Sequence, residues 1–249
     1  MNQTAVITGA SSGFGQAIAR KLAQNGYQIV AIARRSDRLR ELQEELGSPR
    51  ICTLALDLRD RAALREAFLS LPKELSRIGV LVNAAGLALG QESFEHMEEE
   101  DIDTMIDTNI RGLLSVSKEV IPLLRANGGG HIFNFGSIAA LYPYPGSNIY
   151  AGTKAFVAQF SLTLRNDLRK SNIKVTLIEP GLAKTEFSWV RFKGDVARSD
   201  AVYKDKVYLS ANDIAQSVFA LLSLPSHVNV NRIEIMPVSQ SWNPLFVED

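Results

Sequence analysis

The sequence is poor in the residues that crosslink small proteins or bind metals. Of 249 residues, one is cysteine and three are histidines. One cysteine cannot form a disulfide framework, and Cys52 lies in the apolar run ICTLALDL, where we expect a buried, unreactive thiol. His96, His131 and His227 are scattered and lack the spacing of metal ligands. We therefore predict no bound metal and a reducing compartment, the cytoplasm.

Long apolar runs and an excess of charge of one sign are also missing. No run approaches the ~18 apolar residues that a membrane span requires, and the N-terminus enters AVITGA without a basic, apolar leader. Lysine plus arginine and aspartate plus glutamate number 27 each, so no overall field draws the chain to nucleic acid or to an anionic membrane. The expected partners are small molecules, with neither nucleic acid nor membrane among them.

The sequence does contain a repeated alternation of apolar, β-branched runs with amphipathic segments. Because 46% of the residues are apolar, the chain can bury a full core, and we predict one domain over residues 1–249. Strands that are apolar on both faces, each followed by a helix, indicate a parallel sheet covered on both sides. The result is an α/β doubly wound sheet of about seven strands. The predicted strands are 5–8, 27–33, 51–58, 79–85, 131–137, 173–180 and 232–238.

Two segments stand outside this alternation. Residues 181–210 have weak periodicity and mixed charge, and they are long for a structureless connection. This segment is either a lid over a site or disordered, and we favour a substrate lid because a strong site lies elsewhere in the chain. The tail, 239–249, carries apolar residues at an otherwise polar terminus, so we predict that it lies at a subunit interface and reaches a neighbouring subunit's site. Its candidate residues are Gln240, Trp242 and Phe246.

A glycine-rich loop follows the first strand. The sequence TGASSGFG, residues 8–15, opens a helix predicted from Gly13 to Asn25. Its glycines permit a tight turn close to a pyrophosphate, whose charge is favoured by the free N–H groups of a helix N-terminus. The strand before it and the helix after it make the motif specific, and they predict a Rossmann dinucleotide site. The expected contacts are Gly9, Ser11, Ser12, Gly13, Phe14 and Gly15.

The end of the second strand indicates which dinucleotide is bound. An acidic residue there would bind the ribose 2′-hydroxyl of NAD, whereas Arg34 and Arg35 suit the 2′-phosphate of NADP(H). The alternative is that both arginines are solvated at a helix start. Asp37 does not favour NAD, since an acid is expected in the first turn of a helix. Further contacts are predicted at the ends of the third and fourth strands, from Asp57, Leu58, Asn83, Ala84 and Gly86.

Candidate catalytic residues follow the fifth strand. Ser137 ends that strand, and YAGTK places Tyr150 and Lys154 four residues apart on one face of a helix. Carbonyl chemistry needs a proton donor beside the reacting oxygen, and a phenol with a pKa of ~10 is a poor base for the reverse reaction. One cation about 4 Å away is worth up to ~4 kcal/mol, or roughly three pKa units. We therefore predict that Lys154 lowers the pKa of Tyr150.

Taken singly, these residues have ordinary explanations as surface neighbours and as a turn residue. Together, TGASSGFG, NAAG at 83–86, Asn109, Ser137 and YxxxK resemble the short-chain dehydrogenase/reductase family over essentially the whole chain. The resemblance implies that Tyr150 is the acid/base, that Ser137 hydrogen-bonds the substrate oxygen, and that Lys154 lowers the tyrosine pKa and holds the nicotinamide ribose.

The same resemblance implies further roles. Asn109 would hold a water that links Lys154 to solvent, and three residues would lie beside the nicotinamide, namely Pro180, Gly181 and Thr185. Ala84 is a departure, since the family usually has a second asparagine there. The chain is thus expected to be an NADP-dependent alcohol/carbonyl oxidoreductase. The rival hypotheses are a binding protein that senses NADP(H) without turnover and a packing scaffold, which would leave the glycine loop unexplained.

The substrate is predicted from the segment 181–210. Arg191 or Lys193 can hold a carboxylate or a sulfonate, and the alternative is a solvated basic loop. Five stretches look like the NADP-dependent 3-hydroxy acid dehydrogenases, also described as malonic semialdehyde reductases or serine/allo-threonine dehydrogenases. That group implies a homotetramer and short anionic hydroxy acids or their semialdehydes. A sister group reduces sulfoacetaldehyde to isethionate, an equally short and anionic substrate. The stretches are GLALG (86–90), MIDTNIRG (105–112), YAGTKAFVAQFSL (150–162), EFSWVRFKGD (186–195) and LPSHVNVNRIEIMPVSQS (224–241).

Overall fold

The computed structural model describes residues 3–47 and 50–241. Seven strands form one sheet in the order β3-β2-β1-β4-β5-β6-β7, and every neighbouring pair is parallel. All seven predicted strands are present, so the prediction of a doubly wound α/β sheet is confirmed. The strands are β1 (Thr4–Thr8), β2 (Gln28–Ala33), β3 (Ile51–Ala55), β4 (Ile78–Asn83), β5 (Gly130–Phe135), β6 (Ile173–Pro180) and β7 (Arg232–Ile235).

Helices cover both faces of this sheet. The helices are α1 (Gly13–Gln24), α2 (Ser36–Leu46), α3 (Arg61–Leu69), α4 (Glu99–Ile106), α5 (Leu113–Ala126), α6 (Asn148–Asp167), α7 (Phe187–Arg191), α8 (Val196–Ala201) and α9 (Ala211–Leu222). Buried apolar side chains of α1, α2 and α9 form a core on one face, and those of α3, α5 and α6 form a core on the other. The central strands are buried on both faces, which explains their continuous apolar sequence. In the part of the chain that is described, no helix is both long and apolar enough to cross a membrane.

The strand order reverses beside β1, and this reversal positions the site. The chain runs outward from β1 to β3 on one side and from β4 to β7 on the other. In such sheets the loops at the carboxyl ends diverge at this point and leave a crevice for ligands. The two loops that border the crevice touch: a Cβ on Gly9 would lie 3.0 Å from the Cα of Ala85.

Helices α4 and α5 are joined by a short π-helix rather than by a turn. The π-helix, Asp107–Gly112, makes one continuous helical run from Glu99 to Ala126. Segments of this kind are rare and are often found at functional sites. Asn109, one of the candidate site residues, lies within it and is buried.

Residues 181–210 are folded rather than disordered. They form α7 and α8, and their ends meet in a parallel bridge between Ala183 and Leu209. From the tail, Gln240 contacts its own chain, where its Oε1 accepts a hydrogen bond of 2.8 Å from the Leu182 amide. Trp242 and Phe246 lie outside the described residues.

Candidate active site

The glycine-rich loop is shaped to expose the N-terminus of α1. Gly9 and Gly13 have positive φ values of 68° and 51°, which favour glycine. A Cβ on Gly15 would lie 2.5 Å from the Gly9 carbonyl oxygen, so this position excludes every side chain. Ser12 precedes α1 without a capping hydrogen bond from its side chain, and the first turn holds no acid. The first N–H groups of α1 are therefore available to an anion.

A cleft of about 740 Å³ opens at the carboxyl ends of the strands. All but one of the predicted cofactor contacts line it. These are Gly9, Ser11, Ser12, Gly13, Phe14, Gly15, Arg34, Arg35, Asp57, Leu58, Ala84, Gly86, Tyr150, Lys154, Pro180, Gly181 and Thr185.

Asn83 is the exception. Its side chain is buried and does not line the cleft. The Nδ2 atom donates to Asn134 Oδ1 at 2.8 Å and to Ser117 Oγ at 3.1 Å. Asn83 is the last residue of β4, and its side chain bonds to β5 and α5. The side chain of Asn83 therefore links the sheet to α5, and the predicted contact of this residue with the dinucleotide stays a prediction.

The two adjacent arginines have different surroundings. Arg34 is exposed and lines the cleft. The pKa of Asp57 is lowered mainly by a hydrogen bond from Arg59, and the charge of Arg34 lowers it further. Arg35 is instead held by protein groups: its Nε lies 3.3 Å from Ser11 Oγ, and its Nη1 lies 2.9 Å from Glu186 Oε2. It joins the glycine loop to segment 181–210.

Tyr150 and Ser137 meet in the cleft. Tyr150 is buried in the first turn of α6, and its hydroxyl shares a hydrogen bond with Ser137. The Ser137 Oγ also accepts a bond of 3.1 Å from the Ala139 amide, so the serine is both a turn cap and a site residue. Burial raises the pKa of Tyr150 to about 12, although the Ser137 bond and the Arg191 charge act in the opposite direction.

Lys154 lies on the next turn of α6 and is 5% exposed. Its Nζ donates a 2.8 Å hydrogen bond to the Phe135 carbonyl oxygen and lies 5.8 Å from the centre of the Tyr150 ring. Burial lowers the pKa of this amine to about 8. The structure therefore differs from the sequence prediction: the pKa of Tyr150 is raised, because burial outweighs the neighbouring charges.

Asn109 supports the site from behind the cleft. Its amide bonds both ways with the Leu87 backbone, at 2.9 Å from the Leu87 N–H and 2.8 Å to the Leu87 carbonyl, and it donates to Thr153 Oγ1 at 3.0 Å. A Cβ on Gly86 would lie 3.1 Å from Lys154 Nζ and 3.3 Å from Asn109 Oδ1. The lysine and the asparagine thus converge at one point, and the predicted bridging water stays a prediction.

Arg191 is a buried cation at the wall of the cleft. It is 7% exposed, and its guanidinium donates to the Gly90 carbonyl (2.8 Å), the Tyr144 hydroxyl (2.7 Å) and the Gly146 carbonyl (3.1 Å). No carboxylate within residues 3–47 or 50–241 forms an ion pair with it. Lys193 is different, since its Nζ pairs with Asp101 at 2.8 Å and it does not line the cleft. Of the two predicted cations, the structure brings only Arg191 to the site.

Two residues that contact the arginine side chains of the cleft were not predicted from the sequence. Tyr144 and Glu186 both line the cleft, beside Arg191 and Arg35 respectively. Tyr144 sits in the turn YPYPGS between β5 and α6, and its place between Ser137 and Tyr150 was the available signal. Glu186 carries no local signal. Within the described ranges, no three side chains of His, Cys, Asp or Glu are grouped as a metal site would require.

The doubly wound sheet, the glycine loop and the Ser-Tyr-Lys arrangement define a dehydrogenase class. The short chain dehydrogenase family profile matches residues 3–195, and this chain belongs to that family. It is 48% identical over 243 residues to the NADP-dependent 3-hydroxy acid dehydrogenase YdfG of Shigella flexneri, covering 97% of this chain and 98% of that protein.

Two further relatives have related names. Sulfoacetaldehyde reductase 2 of Chromohalobacter salexigens is 46% identical over 250 residues, covering 100% of this chain and 99% of that protein. Among solved structures, the closed form of serine dehydrogenase complexed with NADP+ superimposes with a TM-score of 0.97 at 46% identity, covering 99% of this chain and 100% of the other. The predicted family and fold are thereby confirmed.

Proposed function

We propose that this protein is an NADP(H)-dependent oxidoreductase that interconverts short anionic hydroxy acids with their semialdehydes or ketones. The observation that carries the substrate class is Arg191, a buried guanidinium without a carboxylate partner among the described residues, in the same cleft as Tyr150. A buried charge is costly unless it is paired, so an anionic substrate would complete this site. The names of the relatives agree with the proposal.

The cofactor proposal is supported by the residues of the cleft. The uncapped N-terminus of α1 suits a pyrophosphate. The loop before it can turn tightly because residue 15 is glycine, since a Cβ there would clash with the backbone of Thr8 and Gly9. Arg34 is an exposed cation at the adenosine end and suits a 2′-phosphate. When bound, NADPH supplies the hydride for reduction.

The residues of this chain supply the proton and the orientation. Because the pKa of Tyr150 is about 12, its phenol is protonated at neutral pH and can donate a proton to the substrate carbonyl oxygen. The Ser137 hydroxyl would hydrogen-bond that oxygen and fix its position. Lys154 is anchored on Phe135 beside Gly86 and Asn109, where it would hold the nicotinamide ribose. In the reductive direction the tyrosine acts as an acid, and in the reverse direction its phenolate would act as the base.

The proposal is tested by mixing the protein with NADPH and either malonic semialdehyde or propanal, a neutral aldehyde of the same chain length. We expect NADPH oxidation with the anionic aldehyde and much less with propanal. Tyr150→Phe should bind NADPH normally and lose turnover by about 10²–10⁴-fold, the usual contribution of a general acid. Full activity of this variant would refute the assigned role.

Two alternatives are resolved by the same assay. A sulfoacetaldehyde reductase would turn over sulfoacetaldehyde in preference to malonic semialdehyde, because a sulfonate also suits the Arg191 guanidinium. A binding protein that only senses NADP(H) would bind the dinucleotide, measured by fluorescence titration, and oxidise it with no aldehyde of the panel.

We also propose that the protein is a homotetramer, as the resemblance implies, and that it is located in the cytoplasm. Two exposed apolar side chains of α6 support assembly, since Phe156 and Leu162 are 38% and 43% exposed. The Phe156 ring also stacks on Phe160, with 6.1 Å between the ring centroids. Light scattering of the purified protein would give the mass of a tetramer if this is correct. The single cysteine supports a reducing compartment, and subcellular fractionation tests that location.

A further inference from the structure

We propose that Tyr144 is a second substrate-binding residue, whose hydroxyl donates a hydrogen bond to the anionic group held by Arg191 and thereby determines specificity for anionic substrates. The inference rests on the proposed function, since it adds a residue to the same substrate site. Neither the family motif nor the predicted site residues include Tyr144.

The position of Tyr144 is fixed by the turn that precedes α6. Its amide donates to Ser147 Oγ at 3.2 Å, and its carbonyl oxygen accepts from the Ser147 hydroxyl at 2.6 Å and from the Ser147 amide at 3.0 Å. The ring packs with the apolar cluster that includes Leu87 and Tyr150. A side chain held in this way is preorganised, so little of its freedom remains to be lost when a substrate binds.

The hydrogen-bond geometry leaves one proton unused. The Nη1 of Arg191 donates to the Tyr144 hydroxyl at 2.7 Å, and a guanidinium cannot accept a bond. The tyrosine oxygen is therefore the acceptor, and its own O–H must point elsewhere. Within residues 3–47 and 50–241, no hydrogen-bond acceptor is paired with this O–H. Because Tyr144 lines the cleft, the substrate is the available acceptor.

The guanidinium also has spare donors. Arg191 carries five N–H groups, of which three are used by Gly90, Tyr144 and Gly146. The remaining N–H groups and the Tyr144 O–H form a cluster of donors around a positive charge. Both residues act electrostatically on the phenol of Tyr150, which places this cluster beside the reacting centre. Such a cluster matches the several acceptor oxygens of a carboxylate or sulfonate.

The test is Tyr144→Phe, which keeps the ring and removes the hydroxyl. Steady-state kinetics with NADPH are measured for malonic semialdehyde, sulfoacetaldehyde and propanal. We expect KM to rise by about 10-fold or more for whichever anionic aldehyde the wild type uses, as for loss of a hydrogen bond to a charged group. For propanal, kcat/KM should fall by much less, because this substrate carries no anionic group. Circular dichroism shows separately that the variant is folded. Tyr142→Phe is the matched control, because Tyr142 bonds to Glu234 and does not line the cleft.

A second measurement separates direct donation from an effect through Arg191. In an Arg191→Lys background, Tyr144→Phe should still weaken the anionic substrate if the hydroxyl contacts it. No further loss in that background would mean that Tyr144 only positions the guanidinium, and the inference would be wrong. An equal loss with propanal and the anionic aldehyde would overturn it as well. If the wild type itself shows no preference for anionic aldehydes, the proposed function fails instead, so the two failures are distinct.

Discussion

Lys154 is expected to destabilise the fold below pH 8, and replacing it tests the buried setting that we describe. Its pKa falls from the ordinary value of 10.5 to about 8 because burial disfavours the charged form. In the unfolded chain the amine keeps its proton up to pH 10.5. Between these values the unfolded state binds more protons than the folded state, so the free energy of unfolding rises with pH. The cost of burying this charge is fully present below pH 8 and disappears above 10.5.

The magnitude follows from the shift. Each pKa unit corresponds to ~1.4 kcal/mol, so a group with these two pKa values gains about 2 kcal/mol of stability between pH 7 and pH 9.5. Lys154→Met keeps the length of the side chain and removes the titrating amine. The variant should lack this gain, while every other titrating group contributes equally to both proteins.

The assay is urea unfolding of both proteins at pH 7 and pH 9.5, without dinucleotide, followed by circular dichroism. The wild type should gain about 2 kcal/mol more than Lys154→Met over this interval. Lys118→Met is a suitable control, because Lys118 is an exposed lysine on α5 outside the cleft. Parallel pH profiles for the wild type and Lys154→Met would show that the amine is solvated, and the reasoning from burial would be refuted.

Two other changes probe the loop and the core. Gly15→Ala should lower NADPH affinity by at least tenfold in a fluorescence titration. The new Cβ would lie within 2.8 Å of three backbone atoms of Thr8 and Gly9, and overpacking of this kind costs ~1–3 kcal/mol. Unchanged affinity would contradict the described loop. Gly152→Ala is its control, since nothing lies within 4 Å of that Cβ, and in the α6 helix it should instead stabilise the protein by about 1 kcal/mol in thermal unfolding. His131 is buried, and burial is the main reason that its pKa is lowered from 6.5 to about 3. Below pH 6.5 the unfolded state therefore binds a proton that the folded state does not bind. Stability should therefore be fully present above pH 6.5 and fall by ~1.4 kcal/mol per pH unit below it, and His131→Asn should remove this slope in urea unfolding at pH 7 and pH 5.

The sequence was sufficient for the features that depend on local pattern. The strands, the glycine loop and the YxxxK motif each consist of neighbouring residues, so the sequence shows them directly. The alternation of strands and helices makes the sheet parallel, and the carboxyl ends of its strands therefore lie at the same edge. Arg34, at the end of β2, was therefore found at the cleft without any knowledge of the fold.

The sequence could not supply what depends on packing between distant segments. Asn83 sits at the end of a strand beside Ala84, and only the sheet register shows that its side chain bonds to Asn134 and Ser117. The pKa of Tyr150 depends on how completely the folded cleft excludes water. The hydrogen bond from Arg191 to Tyr144 joins residues 47 positions apart, so no local sequence pattern predicts it.

The π-helix at Asp107–Gly112 has a consequence for insertions and deletions. A π-helical turn holds one more residue than an α-helical turn, because its hydrogen bonds span five residues rather than four. Removing one residue from this segment would therefore let the run from Glu99 to Ala126 wind as a regular α-helix, with α4 and α5 still in phase. Removing one residue from α4 or α5 would instead rotate the two parts of the run by about 100° relative to each other. Helix α4, whose Asp101 pairs with Lys193, would then face away from segment 181–210. The surplus residue is thus absorbed within the π-helix, and the two flanking helices keep their orientation.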